Sequence, residues 1–205
     1  MEDNSTPPLR ERKHHRTRAT IIEAAMTLFA EHGFDNVTVS GIAARAEVGR
    51  STFFRYFVDK QEVMFADDAE LKQVLVTVAQ ERAAALTPIG DSLATALDVA
   101  TCGVLAVSER IAEHSAWLAV RQRLIEEHPD LQARNLVKQY GYVEAGVEVL
   151  LRHGATLEIA VLASNLAAAC FAAGHARALA EGIDLPAAVS DAFARFSDIA
   201  GPTPT

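Results

Sequence analysis

Ten consecutive residues near the N-terminus, LRERKHHRTR at 9–18, set five cations against the single carboxylate of Glu11. A cluster of net +4 can neutralise phosphate oxygens along a nucleic acid, even in a chain whose formal charge is −8. Screening confines such attraction to a Debye length of about 8–10 Å, so the local sign matters more than the total. Charge is uneven along the chain: residues 1–60 hold nine Lys/Arg against eight Asp/Glu, and residues 61–205 hold ten against nineteen. Catalytic chemistry finds no comparable cluster. His14 and His15 sit side by side in the basic run, while His114, His128, His153 and His175 form no metal-ligand spacing. Neither cysteine has a CxxC partner, and no Gly-rich phosphate loop or HExxH occurs. The expected chemistry is binding, not catalysis, with no resident metal or cofactor. Cys102 and Cys170 lie in apolar stretches that suit buried free thiols in a reducing cytoplasm.

Presenting such a surface requires rigid elements, and the periodicity supplies helices. In TRATIIEAAMTLFAEHG (17–33), Ile21 or Ile22, Ala25, Leu28 and Phe29 share a stripe, and Gly33 is a natural stop. Thr38 caps a short helix in which Ile42 and Ala46 share a face. In RSTFFRYF (50–57), Phe53 and Phe57 point inward together and leave Arg50, Ser51 and Arg55 outside. Asp59 caps a helix that starts at Lys60 and is expected to run past Ala69 to Ala85, with Pro88 ending it. Helical segments follow at 89–109, 110–127, 130–152, 156–181 and 187–199. The fold class is all-α: a flexible arm at 1–15, a three-helix helix-turn-helix head at 16–62, and a helical body at 63–200. The first twenty residues carry no signal-peptide core, and the nearly uncharged stretch 159–174 is short for a bilayer. A buried helix in a cytoplasmic protein, with no membrane partner, is the expectation.

Thr38 to Phe57 is long enough for both helices of a helix-turn-helix, whose second helix enters the major groove. Ile42, Ala43, Ala46, Val48, Phe53 and Phe57 form its bracing layer, with the alanines permitting close approach. The run GFDNVTVSGIAARAEVGRSTFFRYFVDKQEVMF closely resembles the DNA-binding head of the TetR family of bacterial repressors. The resemblance covers roughly residues 17–68 and is carried by FAEHGF, the TV…IA..A.V turn, TFFRYF and the lysine that opens the fourth helix. It implies that Thr38 caps near phosphate and that Arg50 and Ser51 front the recognition helix. It further implies that Thr52 and Phe54 lie close to the groove, Tyr56 contacts phosphate, and Lys60 meets the DNA backbone. Arg50 is the best candidate for reading a base, because a guanidinium can bind guanine through two hydrogen bonds worth about 1–3 kcal/mol of discrimination. Arg16 and Arg18 oppose the helix dipole at the start of helix 1, a cost that phosphate contacts would offset. Residues 10–15 either reach the DNA backbone or minor groove, or form a solubilising tail. Three departures from the family pattern stand out. Glu47 replaces the usual turn Gly, so a left-handed backbone there costs roughly 1–2 kcal/mol. Gly49 replaces a Ser cap, and Phe54 lacks the hydroxyl of the common Tyr.

One helix-turn-helix reads a half-site, so a homodimer on a double-stranded palindromic operator is expected. In LEIAVLASNLAAACFAAGHARALAEG, the small residues Ala160, Ala163, Ala167 and Gly174 form a face for close helix contact, either between subunits or within one. The family resemblance implies that helices near 156–181 and 187–199 pair with their symmetry mates, with Phe193, Phe196 and Ile199 adding apolar area. Candidate ligand contacts are Trp117, Arg121, Tyr140 and Asn165, polar or amphipathic groups among apolar walls. Trp117 suits core or pocket. Asn165 needs a partner if buried, in the core, at the interface or on a ligand. WLAVRQRLIEEHPDLQAR also resembles actinobacterial members of the family with acyl-CoA-like ligand domains, which implies that Arg121 or Arg123 meets an anionic head group. A hydrophobic cation is the competing effector, favoured by the net −9 of residues 61–205. The function expected is a repressor released by a small hydrophobic molecule, acyl-CoA-like or drug-like.

Overall fold

A computed structural model of the chain describes residues 9–113 and 117–200. They form ten α-helices: α1 (Leu9–His32), α2 (Val39–Arg45), α3 (Arg50–Tyr56), α4 (Lys60–Val63), α5 (Asp68–Ala84), α6 (Leu93–Ala112), α7 (Leu118–Glu127), α8 (Pro129–Arg152), α9 (Leu157–Glu181) and α10 (Leu185–Ala200). Among the described residues the extended pairing is limited to one isolated bridge, Gly90 with Ala155. The all-α expectation therefore holds.

Three boundaries differ from the expected ones. Helix α1 reaches back to Leu9, so residues 9–15 of the expected arm are helical, while residues 1–8 lie outside the described residues. No Gly or Pro interrupts the run from Leu9, and the Thr17 and Thr20 hydroxyls donate back to the carbonyls of Lys13 and Arg16. The helix opened by Lys60 ends at Val63, and α5 starts anew at Asp68. Val63, Met64 and Phe65 are all buried, and three consecutive side chains cannot share one helix face, so the backbone turns to bury them. Helix α6 passes the expected break after residue 109 and continues to Ala112.

The chain divides into two compact units, one comprising residues up to Ala66 together with Val120–Leu131, the other Asp67–Ala119 with the remainder. The head therefore ends at residue 66, not 62, and recruits a segment expected in the body. Leu124, Ile125 and Leu131 of that segment are buried. Within this unit the His128 ring lies 5.3 Å from Phe34, and the Arg121 guanidinium lies 5.1 Å from the Phe65 ring centre.

In the body, α6 packs against α5, α9 and α10. One core cluster joins Leu71, Leu75, Val104, Val107, Val189 and Phe193, and a second joins Ala79, Ala83, Val99, Val149 and Leu150. The small-residue face of α9 is spent inside the subunit: Ala160, Ala163 and Ala167 are in these cores. At Gly174 a Cβ would lie 2.5 Å from the Val189 Cα, so α9 and α10 cross there at backbone contact. Of the two readings of that face, contact within one subunit is the one observed. Phe193 is likewise a core residue and Phe196 is half-buried, while the Ile199 side chain lies outside the described residues. Helix α9, at 25 residues, is longer than the stretch 159–174 and is the one described helix long and apolar enough to cross a membrane by length and composition. Its packed face makes it a central helix of the body. Leu157, Val161 and Leu162 on α9 are exposed in the single chain.

Candidate nucleic-acid interface

The two short helices of the head are held by local bonds that their sequences specify. Thr38 Oγ1 accepts from the Gly41 N–H at 3.1 Å and caps α2, which buries Ile42 and Ala43. After α2 the chain closes a tight C-terminal turn, with Val48 N–H donating to Ala43 O at 2.9 Å and Glu47 N–H to Ala44 O at 3.1 Å. Glu47 adopts φ 53°, the left-handed conformation for which Gly is preferred at this position. The strain expected from the sequence is therefore present, of order 1–2 kcal/mol. Gly49 follows as the N-cap of α3, with no side-chain bond of its own.

Helix α3 has only seven residues, too few to be stable alone, and is anchored by Phe53, which is fully buried. The Phe53 ring packs 5.7 Å from that of Phe57, itself buried. The same geometry leaves Arg50 and Ser51 exposed on the first turn and Phe54 half exposed, with Thr52 and Tyr56 half-buried at the edges. A guanidinium, a hydroxyl and an apolar ring on one short ridge suit, respectively, guanine, phosphate or base edges, and a thymine methyl.

Two expected phosphate contacts are engaged inside the head. The Lys60 ammonium donates to Phe34 O at 2.7 Å and Val37 O at 2.9 Å, and sits 4.3 Å from the Phe34 ring centre. Burial pushes its pKa below the ordinary lysine value, with the Asp35 carboxylate opposing that shift. Lys60 thus clasps the α1–α2 connection and leaves at most one ammonium N–H for DNA. Arg18 donates to Ala66 O and lies 5.6 Å from the Phe57 ring centre, which makes it an internal tie and not a free cation. Arg16 is exposed, but helical register turns it about 160° from His14, the residue of this turn that meets the α3 end.

Sequence reasoning missed the His14 contact. Its ring lies 4.5 Å from that of Tyr56, whose ring also has the Arg55 guanidinium 5.4 Å from its centre. The contact joins residues more than forty positions apart, so no local pattern announces it.

The expected ligand contacts are not brought together. Trp117 is half-buried in the turn before α7, whereas Arg121 belongs to the head unit. Tyr140 is 63% exposed on α8, and Asn165 is exposed on α9 with its Nδ2 donating to Val161 O at 2.8 Å. Asn165 is therefore not the buried amide for which a core, interface or ligand partner was expected. A shallow groove of about 310 Å³ runs between α9 and α10, lined by Leu166, Ala173, Ala188 and Phe196 with Arg177 and Arg195 at its edges. Among the described residues no three His, Cys, Asp or Glu side chains are grouped so as to hold a metal. Cys102 and Cys170 are free thiols, and burial pushes the Cys170 thiol pKa up, away from reactivity.

Comparison with known proteins bears on both units. Residues 21–66 match the family described as bacterial regulatory proteins, tetR family. The transcriptional regulator TcmR of Streptomyces glaucescens is 32% identical over 130 residues, covering 63% of this chain and 57% of that protein. The chain thus matches little more than half the length of that relative. Among solved structures, the fatty acid degradation regulator FadR of Bacillus halodurans superposes with a TM-score of 0.56 at 21% identity, over 86% of this chain and 92% of that one. SmeT of Stenotrophomonas maltophilia, in complex with triclosan, gives 0.56 at 17% identity over 88% and 91%. These two share the fold. The family match thus falls on the helices whose caps and aromatic anchors are described above, and over residues 21–66 the head is similar to that of the tetR family of bacterial regulatory proteins.

Proposed function

We propose that the chain is a ligand-responsive transcriptional repressor which binds a palindromic operator as a homodimer and is released by a small hydrophobic molecule. The observation that carries the reading is α3, a seven-residue helix pinned from below by Phe53 and presenting Arg50, Ser51 and Phe54 outward, within the residues that match the family. Arg50 reads a base, while Thr38, Ser51, Thr52 and Tyr56 position the helix against phosphate and groove wall. Lys60 contributes chiefly by fixing the α1–α2 connection.

The second copy docks on the faces of α9 and α10 that the subunit leaves uncovered. Leu157, Val161 and Leu162 are exposed there, and the groove between the two helices offers a complementary apolar surface. The effector class is supported by the relatives of similar fold, one named for fatty acid degradation and one bound to triclosan. The ligand binds in the helical body, and the protein acts in the cytoplasm, where the DNA is. The relatives are named as regulators, and no enzymatic role is proposed.

Selection of duplexes from a randomised pool tests the reading. A shared palindrome is expected, and Arg50→Ala should relax preference at one base pair per half-site by about 1–3 kcal/mol. Equal losses on selected and random duplexes would assign Arg50 to the backbone instead. Trp117 is the single tryptophan, so its fluorescence reports occupancy while triclosan or a long-chain acyl-CoA is titrated against the bound duplex. An effector must bind the released conformation more tightly, since equal affinity for both shifts nothing. A monomer with no sequence preference at moderate ionic strength would overturn the proposal.

A further inference from the structure

We infer that residues 9–16 are a second DNA-contacting element, a docked helical extension of α1 whose Arg10 and Lys13 meet the sugar-phosphate backbone of duplex flanking each half-site. The inference rests on the operator-binding reading above and adds a surface to it.

The segment is helical from Leu9 and carries Arg10, Arg12, Lys13, His14 and His15 exposed to solvent. Intrinsic helix stability does not account for these residues. Cations in the first turns oppose the helix dipole, so the placement works against the helix unless an anion is met there. The strongest positive cluster of an acidic chain is thus concentrated where it favours folding least.

Packing within the head fixes where the cluster points. His14 meets Tyr56 at 4.5 Å, and Arg18, one turn later on the same stripe, meets Phe57 and Ala66 O. The stripe is therefore laid against the C-terminal end of α3. Arg10 continues it one turn further out, about 6 Å along the axis from His14, and Lys13 lies about 60° beside Arg10. A helix seated at the end of a groove-reading helix faces the phosphates that wall the groove, which is about 12 Å wide. Arg12 falls about 160° from His14, on the far side. The docked helix thus sorts its cations into a pair beside the DNA-reading element and others turned away from it. His14 is a positioning residue: its ring holds the extension on Tyr56.

The test uses the full chain and a duplex that the wild-type protein recovers from a randomised pool. Affinity is measured from 50 to 300 mM salt for wild type, Arg10→Gln/Lys13→Gln and Arg12→Gln. Glutamine keeps helix propensity close to that of Arg and Lys. Every phosphate that goes unneutralised should lower the steepness of log K against log salt by about 0.9, so a dimer that gives up four cations should drop by between about 3 and 4. Arg12→Gln should change the slope by less than the value of one phosphate per subunit. His14→Ala should reproduce part of the double variant's drop and His14→Phe should restore the wild-type slope, since the ring packing on Tyr56 is kept. Trimming the duplex flanks should weaken wild type and leave Arg10→Gln/Lys13→Gln unaffected.

A wild-type slope in the double variant, or an equal drop for Arg12→Gln, would overturn the inference while leaving operator binding intact. Failure of wild type to prefer any duplex would instead overturn the operator reading itself. Loss of binding to anionic phospholipid vesicles in the double variant, with an unchanged DNA slope, would assign the cluster to a membrane and refute its role on DNA.

Discussion

The head and the body bury their apolar surface by opposite means. The head holds seven-residue helices in place with large rings: Phe29, Phe53 and Phe65 are fully or almost fully buried, with Phe34 and Phe57 close behind. The body's central helix uses Ala160, Ala163, Ala167 and Gly174, so that backbones and not side chains come together. The contrast follows from length. A helix of two turns has room for one or two inward positions, and each must carry much area, since burying a Phe-sized side chain contributes about 1.5–3 kcal/mol. A helix of 25 residues has many inward positions and gains by bringing whole helices close.

Removing one ring should therefore cost the head more than adding one methyl costs the body. Phe53→Ala is expected to lose about 3–5 kcal/mol of head stability and operator binding with it. Calorimetry should show an early head transition with the body transition preserved, and a simultaneous loss of both would erase the distinction between the units. Gly174→Ala places a Cβ within 2.5 Å of the Val189 Cα and 2.7 Å of its N, atoms of a backbone that cannot rotate away. The expected cost is about 1–3 kcal/mol, seen as a lower melting temperature of the body. An unchanged melting temperature would mean that α9 and α10 can separate freely.

Smaller effects sharpen the picture of the head. Lys60→Ala removes the ammonium from the Val37 carbonyl and leaves the Phe34 carbonyl only the Val37 N–H at 3.3 Å, and should cost about 1–3 kcal/mol. Denaturant midpoints would record that loss without any DNA present, which a purely phosphate-contacting lysine would not produce. Glu47→Gly relieves a left-handed backbone worth roughly 1–2 kcal/mol and adds unfolded-state freedom worth about 0.4–1 kcal/mol. A net stabilisation below about 1.5 kcal/mol is expected. A destabilised variant would show that the Glu47 side chain makes a compensating contact.

The two units also differ in how plainly the sequence announced them. Thr38, Gly33, Asp59 and the strain at Glu47 were all legible, because caps and turn conformations are demands of a few neighbouring residues. The inward pair Phe53 and Phe57 was legible because rings four apart have one sensible destination. Alanine has no such destination. Helix α9 carries Ala172, Ala173 and Ala176 outside and Ala160, Ala163 and Ala167 inside, so residue type alone could not say which small face meets the subunit's own core. The internal roles of Lys60 and Arg18 were hidden for another reason: each bonds a carbonyl more than twenty residues away, and a basic side chain near a DNA-reading helix looks the same whether it faces inward or outward. The ligand candidates are not brought together in the structure, since scattered polar groups have no spacing that ties them to one cavity.

The recruitment of Val120–Leu131 by the head bears on how such proteins can be recombined. The polypeptide passes between its two units at residues 66, 119 and 131, and not at a single linker. A hybrid chain joined at residue 66 would carry α3 but leave behind His128, the neighbour of Phe34, and Arg121, the neighbour of Phe65. Moving the head into another chain therefore requires grafting a discontinuous piece, or choosing an acceptor whose own equivalent segment already fits the incoming rings.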